Sequence, residues 1–351
     1  HIKVVNYQLY KTSSLLFYIY ANIYILYFIK VKMDKKDEKI LAELVINSRT
    51  PFSRLGKKVG MSREVVTYRV NKLIKEKIIT DFYPIINTEA LGYFRNGCCI
   101  QLKDIDEVKE RVFFSFLKEH HFVTYVGAII GKWNVAFDIL SKNREHLIKI
   151  IQEIINEAGK HIENYIVTNN SVQEEIYPTK VIGIVEKTKH FVKSKEIKLD
   201  ETDKNVLALL SVNSRVDYIE LSSKLHLTAN AIKYRIKQLE DCKIIRGYTI
   251  FIDATKLGYE YYNLQIKLNS HFQEDILKSF FRNHPRIIYF YKYLGNENWD
   301  IDIGILAKNS HGLREIIMEL RKEFGNIMRI QDVYSTFEVI KADITPAGIF
   351  I

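Results

Sequence analysis

One sequence pattern occurs twice in this chain, 166 residues apart. Asp37, Leu41, Ala42 and Leu44, with the run Asn47-Ser48-Arg49, recur as Asp203, Leu207, Ala208 and Leu210 with Asn213-Ser214-Arg215. The correspondence continues through Tyr68-Arg69 and Tyr234-Arg235, Lys77-Ile78-Ile79 and Lys243-Ile244-Ile245, and Leu91-Gly92-Tyr93 and Leu257-Gly258-Tyr259. It gives 19 identities over the 57 positions from 37 to 93, too many for chance and without a gap. Trp133 and Trp299, Leu147 and Leu313, and Gly159 and Gly325 extend it. A period of about 140 residues or more is too long for a solenoid and fits a duplicated two-domain module.

The chain of 351 residues has room for two to four domains, and 47% hydrophobic with 12% aromatic residues supplies cores rather than disorder. Cys98, Cys99 and Cys242 show no CxxC spacing and are too few for a disulfide framework. A cytoplasmic, reducing setting and no cysteine-built metal site are expected. The net charge of +10 points to a polyanionic partner, but Lys3, Lys11, Lys30 and Lys32 lie in the first 32 residues, which contain no acid. The remainder carries +6, a moderate bias.

Residues 1–32 repeat no part of either unit, and residues 12–29 form an uncharged run of 18. That run is long enough to cross a bilayer, yet Tyr18, Tyr20, Asn22, Tyr24 and Tyr27 dilute it and no small-residue cleavage site follows. Because the repeat starts directly after Met33, an upstream extension is expected in preference to a membrane anchor.

Each unit begins with three short helical patterns. In unit one, Ile40, Leu41, Leu44 and Val45 mark a first apolar face. A second helix near 52–59 ends at Gly60, suited to a left-handed turn, and Ser62 caps a third helix with Val66, Val70 and Leu73 inward. Unit two repeats this with His226 in place of Gly60, Thr228 as cap and Ile232, Ile236 and Leu239 inward. Helix, tight turn and capped helix make a helix-turn-helix. Opposite the apolar stripe lie Glu64, Tyr68, Asn71 and Lys75, flanked by Thr67 and Lys72, and in unit two Asn230, Tyr234, Lys237 and Asp241, with Lys233 and Gln238; the caps Ser62 and Thr228 join these as expected base readers. These side chains suit base edges in a major groove, whereas Arg63, Arg69, Lys77, Arg235 and Lys243 suit phosphates. A single such face would be an ordinary solvated surface, but helix, turn, cap and polar face recur together.

An extended stretch ending in Leu-Gly-Tyr follows each third helix, at 81–87 and 247–253, and reads as the strand of a small wing. At this point the chain resembles the Lrp/AsnC (feast/famine) transcriptional regulators. Unit two carries their pattern in Leu199-Asp200, Asp203, Asn213, Arg215, Tyr234-Arg235-Ile236, Leu239-Glu240, Gly247-Tyr248, Asp253 and Leu257-Gly258-Tyr259; unit one departs at Ile74, Asp81 and Asn87. The rest of each unit alternates as βαββαβ, a ferredoxin-like sheet with helices on one face. The expected fold is therefore α+β, two tandem units, each a winged helix-turn-helix followed by a ferredoxin-like domain. The divisions are 33–93 and 94–172, a linker at 173–198, 199–259 and 260–344, and a tail at 345–351. The two ferredoxin-like domains are expected to pair as an intramolecular pseudo-dimer that reads two unlike DNA half-sites, with higher homo-oligomers left open.

In the resembled family the ferredoxin-like domain senses small molecules, often amino acids. The corresponding loops place Gly131, Trp133 and Asn134 in unit one and Gly295, Trp299 and Asp300 in unit two as effector candidates. Double-stranded DNA is the expected macromolecular partner. No constellation of Ser, His and Asp, paired carboxylates or metal ligands declares itself, so no cofactor, no metal and no enzyme is expected. The alternative is a siroheme-decarboxylase-like enzyme, which shares this layout; His121 and His284-Pro285-Arg286 would then be the porphyrin-contacting candidates.

Overall fold

Residues 33–175, 198–269, 274–293, 296–343 and 345–350 are described in a computed structural model. The extension at 1–32 with its candidate span, most of the linker, and Gly295 lie outside the described residues. No helix among the described residues is long and apolar enough to cross a membrane.

Each unit opens with a helix fixed by a reciprocal cap. Asp34 accepts from the Lys36 and Asp37 amides and Asp37 returns to the Asp34 amide, starting α1 (Lys35–Ile46). α2 (Phe52–Val59) stops at Gly60 with φ +70°, and α3 (Arg63–Lys75) starts where Ser62 Oγ accepts from the Val65 amide. The second unit builds α6 (Glu201–Val212), α7 (Tyr218–Leu225) and α8 (Ala229–Asp241) by the same devices. His226 takes the left-handed turn at φ +54°, so the turn survives without glycine at a cost of about 1 kcal/mol.

The expected wing strands form, but they do not stand alone. Each unit contributes a single strand, β1 (Ile79–Ile86) and β6 (Ile245–Ile252), and the two pair antiparallel with each other. One strand alone cannot satisfy its own amides, and the equivalent strand of the other unit supplies the partners. The repeated Asn-Ser-Arg run seals the same junction. Ser48 Oγ meets Ser214 Oγ at 2.9 Å, and Arg49 Nη1 donates to the Ser214 carbonyl while Arg215 Nη1 donates to that of Ser48. The Arg49 guanidinium lies over the Tyr218 and Tyr248 rings, and that of Arg215 over Phe52 and Phe82.

The ferredoxin-like halves follow: β2 (Phe94–Leu102), α4 (Glu107–Glu119), β3 (Val123–Ile130), β4 (Val135–Ser141), α5 (Arg144–Ala158) and β5 (Ile162–Glu175) in unit one. Unit two has β7 (Glu260–Leu268), α9 (Glu274–Asn283), β8 (Ile287–Tyr293), β9 (Ile301–Ala307), α10 (Ser310–Phe324) and β10 (Met328–Ala342). The two sheets do not stay separate. β5 pairs with β8 and β10 with β3, closing a barrel in the order β10-β3-β4-β2-β5-β8-β9-β7. Helices cover the outside of each half over its own apolar core, and the remaining sheet faces turn inward. On the outer side His120 reaches Glu153 at 3.3 Å in unit one and His284 reaches Glu319 at 3.3 Å in unit two.

The repeat is not free of gaps throughout. Val126 lies opposite Phe137 in one hairpin but Phe290 opposite Ile303 in the other, so β3 and β8 correspond at a spacing two shorter than β4 and β9. The longer loop before Trp299 restores the register. The expected tail is also structural: a 3₁₀ turn at Ala347–Phe350 buries Ile349 and Phe350 against Val206, Leu207 and Leu210, and Tyr93 Oη donates to the Ile349 carbonyl at 3.1 Å.

Candidate functional site

The caps, the buried valine and leucine positions and the tight turns together leave α3 and α8 with one free face each. Ser62, Arg63, Glu64, Tyr68, Asn71 and Lys72 are exposed in unit one, as are Thr228, Asn230, Lys233, Tyr234, Lys237 and Gln238 in unit two. Tyr68 is 71% and Tyr234 63% exposed, far more than a tyrosine needed for packing. Some polar groups on this face already have partners. Thr67 Oγ1 is half-buried and donates to the Arg63 carbonyl at 2.8 Å, and Gln238 Nε2 donates to Tyr234 Oη at 2.9 Å. The carboxyl of Glu64 is held below its usual range by its own backbone amide and by Ser62, so this face of unit one keeps a negative charge that unit two lacks.

Arg69 and Arg235 have partners within the protein. Arg69 Nη1 bonds Asp34 Oδ2 at 2.9 Å and Asp37 Oδ1 at 2.7 Å, and Arg235 Nη1 bonds Asp200 at 2.7 Å and Asp203 at 2.8 Å. Hydrogen bonding to these carboxylates raises both guanidinium pKa values. The arginines clamp the third helix to the capped start of the first. Arg63, Lys72, Lys77 and Lys243 stay exposed; the last two sit in left-handed turns at φ +56° and +62° just after α3 and α8.

The effector candidates are not gathered into a loop pocket. Asn134 Oδ1 accepts from the Leu102 amide at 2.7 Å, and the equivalent Asp300 accepts from the Leu268 amide at 2.8 Å while pairing with Lys267 at 3.1 Å. Both brace the first strand of their sheet. Gly131, at φ +155°, packs against Tyr334, and Trp133 is buried under the Lys132 ammonium. Trp299 alone of the described candidates faces a cavity, and that cavity lies inside the barrel.

The barrel cavity has a volume of about 200 Å³ and reaches toward Val45, Tyr83 and Phe251 of the helix-turn-helix pair. Two buried carboxylates face it. Asp138 pairs with Arg95 at 3.3 Å, while Asp302 Oδ2 accepts from Tyr334 Oη at 2.9 Å and Oδ1 lies 3.4 Å from Asn263 Nδ2. Burial pushes Asp302 up to about 7. Sequence patterning missed this site because its residues are spread over all eight barrel strands, and only the closed sheet brings them together.

Comparisons with known proteins place these features. Residues 33–74 match the AsnC-type helix-turn-helix domain and residues 199–246 a winged helix-turn-helix DNA-binding domain. The transcriptional regulator LrpB of Bacillus subtilis is 34% identical over 83 residues, covering 23% of this chain and 56% of its own length. LrpA of Pyrococcus horikoshii is 44% identical over 61 residues, 17% of this chain and 43% of its own, so these matches span about half of each relative. An uncharacterized HTH-type transcriptional regulator of Pyrococcus abyssi is 30% identical over 147 residues, 41% of this chain and 99% of its own. Among solved structures, the siroheme decarboxylase NirDL shares the fold over 88% of this chain and 92% of its own, with TM-score 0.60 and 12% identity. That likeness overturns the expectation that the chain is not an enzyme: an enzyme uses this same two-unit layout, so the layout excludes no catalysis.

Proposed function

The chain belongs to the Lrp/AsnC family of transcriptional regulators, and from that premise we propose that it binds double-stranded DNA through α3 and α8 as an intramolecular pseudo-dimer. The observation that carries this reading is the pair of capped, exposed helices joined through β1 and β6. Base reading is assigned to Glu64, Tyr68 and Asn71 on one side and to Asn230, Lys233, Tyr234 and Lys237 on the other, with Arg63, Lys72, Lys77 and Lys243 on phosphates. Because the two faces differ, the favoured site is two unlike half-sites about one helical turn apart. Selection of binding sites from random DNA by residues 33–351, followed by footprinting, tests it. Enrichment of an asymmetric site supports the reading, and absence of any enriched sequence removes it.

A small effector, such as an amino acid, would act by binding one arrangement of the pseudo-dimer better than another. Calorimetry with the twenty amino acids tests this, and no heat with any of them leaves a regulator without that control. A tetrapyrrole decarboxylase is the second reading, favoured by the whole-chain likeness of fold. Two of its candidate residues are engaged elsewhere, His284 with Glu319 and Arg286 with Glu315 at 3.1 Å, while His121 stays exposed. The barrel cavity is smaller than usual pockets for larger ligands and holds acids, a poor match to a carboxylated macrocycle. Titration with siroheme, read as a visible absorbance shift, decides between the two readings.

A further inference from the structure

The barrel interior breaks the symmetry that the rest of the fold keeps. Superposing the strand registers pairs Gly97 with Asn263, Cys99 with Gln265, Ala136 with Asp302, and Thr168 with Tyr334. In β3 and β8 the same registers pair Gly127 with Tyr291 and Ile129 with Tyr293. Unit one contributes small or aliphatic side chains at these positions, and unit two contributes a carboxylate, amides and phenols. Gly304, which stands where unit one has Asp138, lets the Tyr289 ring in: a Cβ there would overlap that ring. At these matched positions the polar groups come from unit two, while unit one adds the Asp138–Arg95 pair elsewhere on the wall.

Its chemistry is specific. Among the described residues the partners of Asp302 are Tyr334, Asn263 and Tyr289, and no cation is among them; the Arg95 guanidinium is paired with Asp138. Tyr289 and Tyr291 stand with ring centroids 4.8 Å apart, and Tyr293 meets Trp299 edge to face. Two donors, Gln265 Nε2 and Trp299 Nε1, are buried at the cavity wall without a hydrogen-bond partner, although each residue is at least nine-tenths buried. A buried carboxylate without a cation costs free energy, aromatic faces attract cations, and orphaned donors require an acceptor.

We propose that the barrel cavity binds a small organic ammonium ion that also carries a hydroxyl or carbonyl oxygen, its cation set against Asp302 and the tyrosine faces and its oxygen accepting from Gln265 or Trp299. The cavity of about 200 Å³ limits the ligand to a handful of heavy atoms. The site stands independently of the DNA-binding reading.

The titratable groups facing Asp302 are Asp138, Cys99, Tyr125, Tyr289, Tyr293 and Tyr334, and burial raises the pKa of every one. At pH 8 the phenols and thiol are therefore neutral, and Asp302 is the group whose charge the ligand would answer. Below its pKa of about 7, a permanently charged ligand should bind about tenfold more weakly for each unit of pH.

The experiment is calorimetry on residues 33–351 with choline and ethanolamine, against 3,3-dimethylbutan-1-ol, the neutral isostere of choline. Saturable binding of either ammonium probe, at least tenfold tighter than the isostere and weakened at least tenfold by Asp302→Asn, is expected. Should that variant fold poorly, the choline affinity of the unaltered protein tests the same charge, with an expected fall of about 25-fold between pH 7.5 and pH 5.5. Equal binding of choline and its isostere, binding indifferent to Asp302→Asn and pH, or no binding at millimolar probe overturns the proposal.

Discussion

The two halves agree at the Asn-Ser-Arg junction that joins them and in the arginine clamp inside each, and disagree where they enclose space or meet solvent. Ser48 and Ser214, Arg49 and Arg215, and the clamps Asp37–Arg69 and Asp203–Arg235 are matched almost atom for atom. In the barrel interior and on the outward faces of α3 and α8 the equivalents are Ala136 against Asp302, Glu64 against Asn230, and Asn71 against Lys237. A contact across a pseudo-two-fold axis constrains both copies at once, because changing one leaves the other without its mate. A cavity wall or a solvent face imposes no such mutual demand, so those positions are free to diverge.

The largest test breaks the halves apart in stability. Unit two packs Phe350 into its helix-turn-helix core, so Phe350→Ala should cost about 3 kcal/mol or slightly more. Hydrogen exchange should then show α6 opening well before α1; equal loss of protection in both would show that the tail supports the whole pair and not one half.

The carboxylates come next, with opposite signs. Asp138→Asn removes the buried ion pair to Arg95 and should destabilise by about 2 kcal/mol. Asp302→Asn should stabilise at pH 8, by on the order of 2 kcal/mol, since it removes a buried charge with no cation. The pH course follows. With a folded pKa of about 7 above the ordinary 3.8, the folded state binds the extra proton, so the contribution of Asp302 to stability is fully present below pH 4, is lost as pH rises toward 7 and is flat beyond. Urea unfolding from pH 4 to 8 checks both, and a D302N protein as steep in pH as the parent would refute the assignment to this group.

The clamps should behave alike. Arg69→Ala and Arg235→Ala each lose a partly exposed Nη1 bridge between two carboxylates, about 1 kcal/mol apiece, because these side chains are 21% and 27% exposed. Neither should reduce the salt dependence of DNA binding, whereas Lys77→Ala or Lys243→Ala should each reduce it by about one phosphate. An arginine variant that flattens the salt slope would restore the phosphate role.

Smallest in stability, within about 0.5 kcal/mol, are Tyr68→Ala and Tyr234→Ala on the exposed faces. Their effect should appear in footprints, each weakening protection of a different half-site. Symmetric weakening by either one would mean that the halves read the same sequence.

The three helices of each unit were legible because their signals are local: Asp34, Ser62 and Thr228 at the caps, Gly60 at the turn, and valines and leucines at helical spacing. The βαββαβ order was legible for the same reason. The role of Arg69 was not, since the carboxylates that claim it lie 32 and 35 residues earlier. Nor could an alternating strand pattern tell a solvated sheet face from the wall of a closed barrel, and Trp299 looked like a loop residue until β8 and β9 were closed around it.

By itself the sequence determined that there are two units, which helices begin where, and which face of each is polar, because caps, turns and periodicity act over a few residues. Tertiary structure decided that β1 finds β6, that two sheets close into one barrel, and that Asp302 is buried facing Tyr334 and Asn263. Those outcomes depend on unsatisfied strand edges and on burial from several directions at once, quantities that no stretch of sequence carries alone.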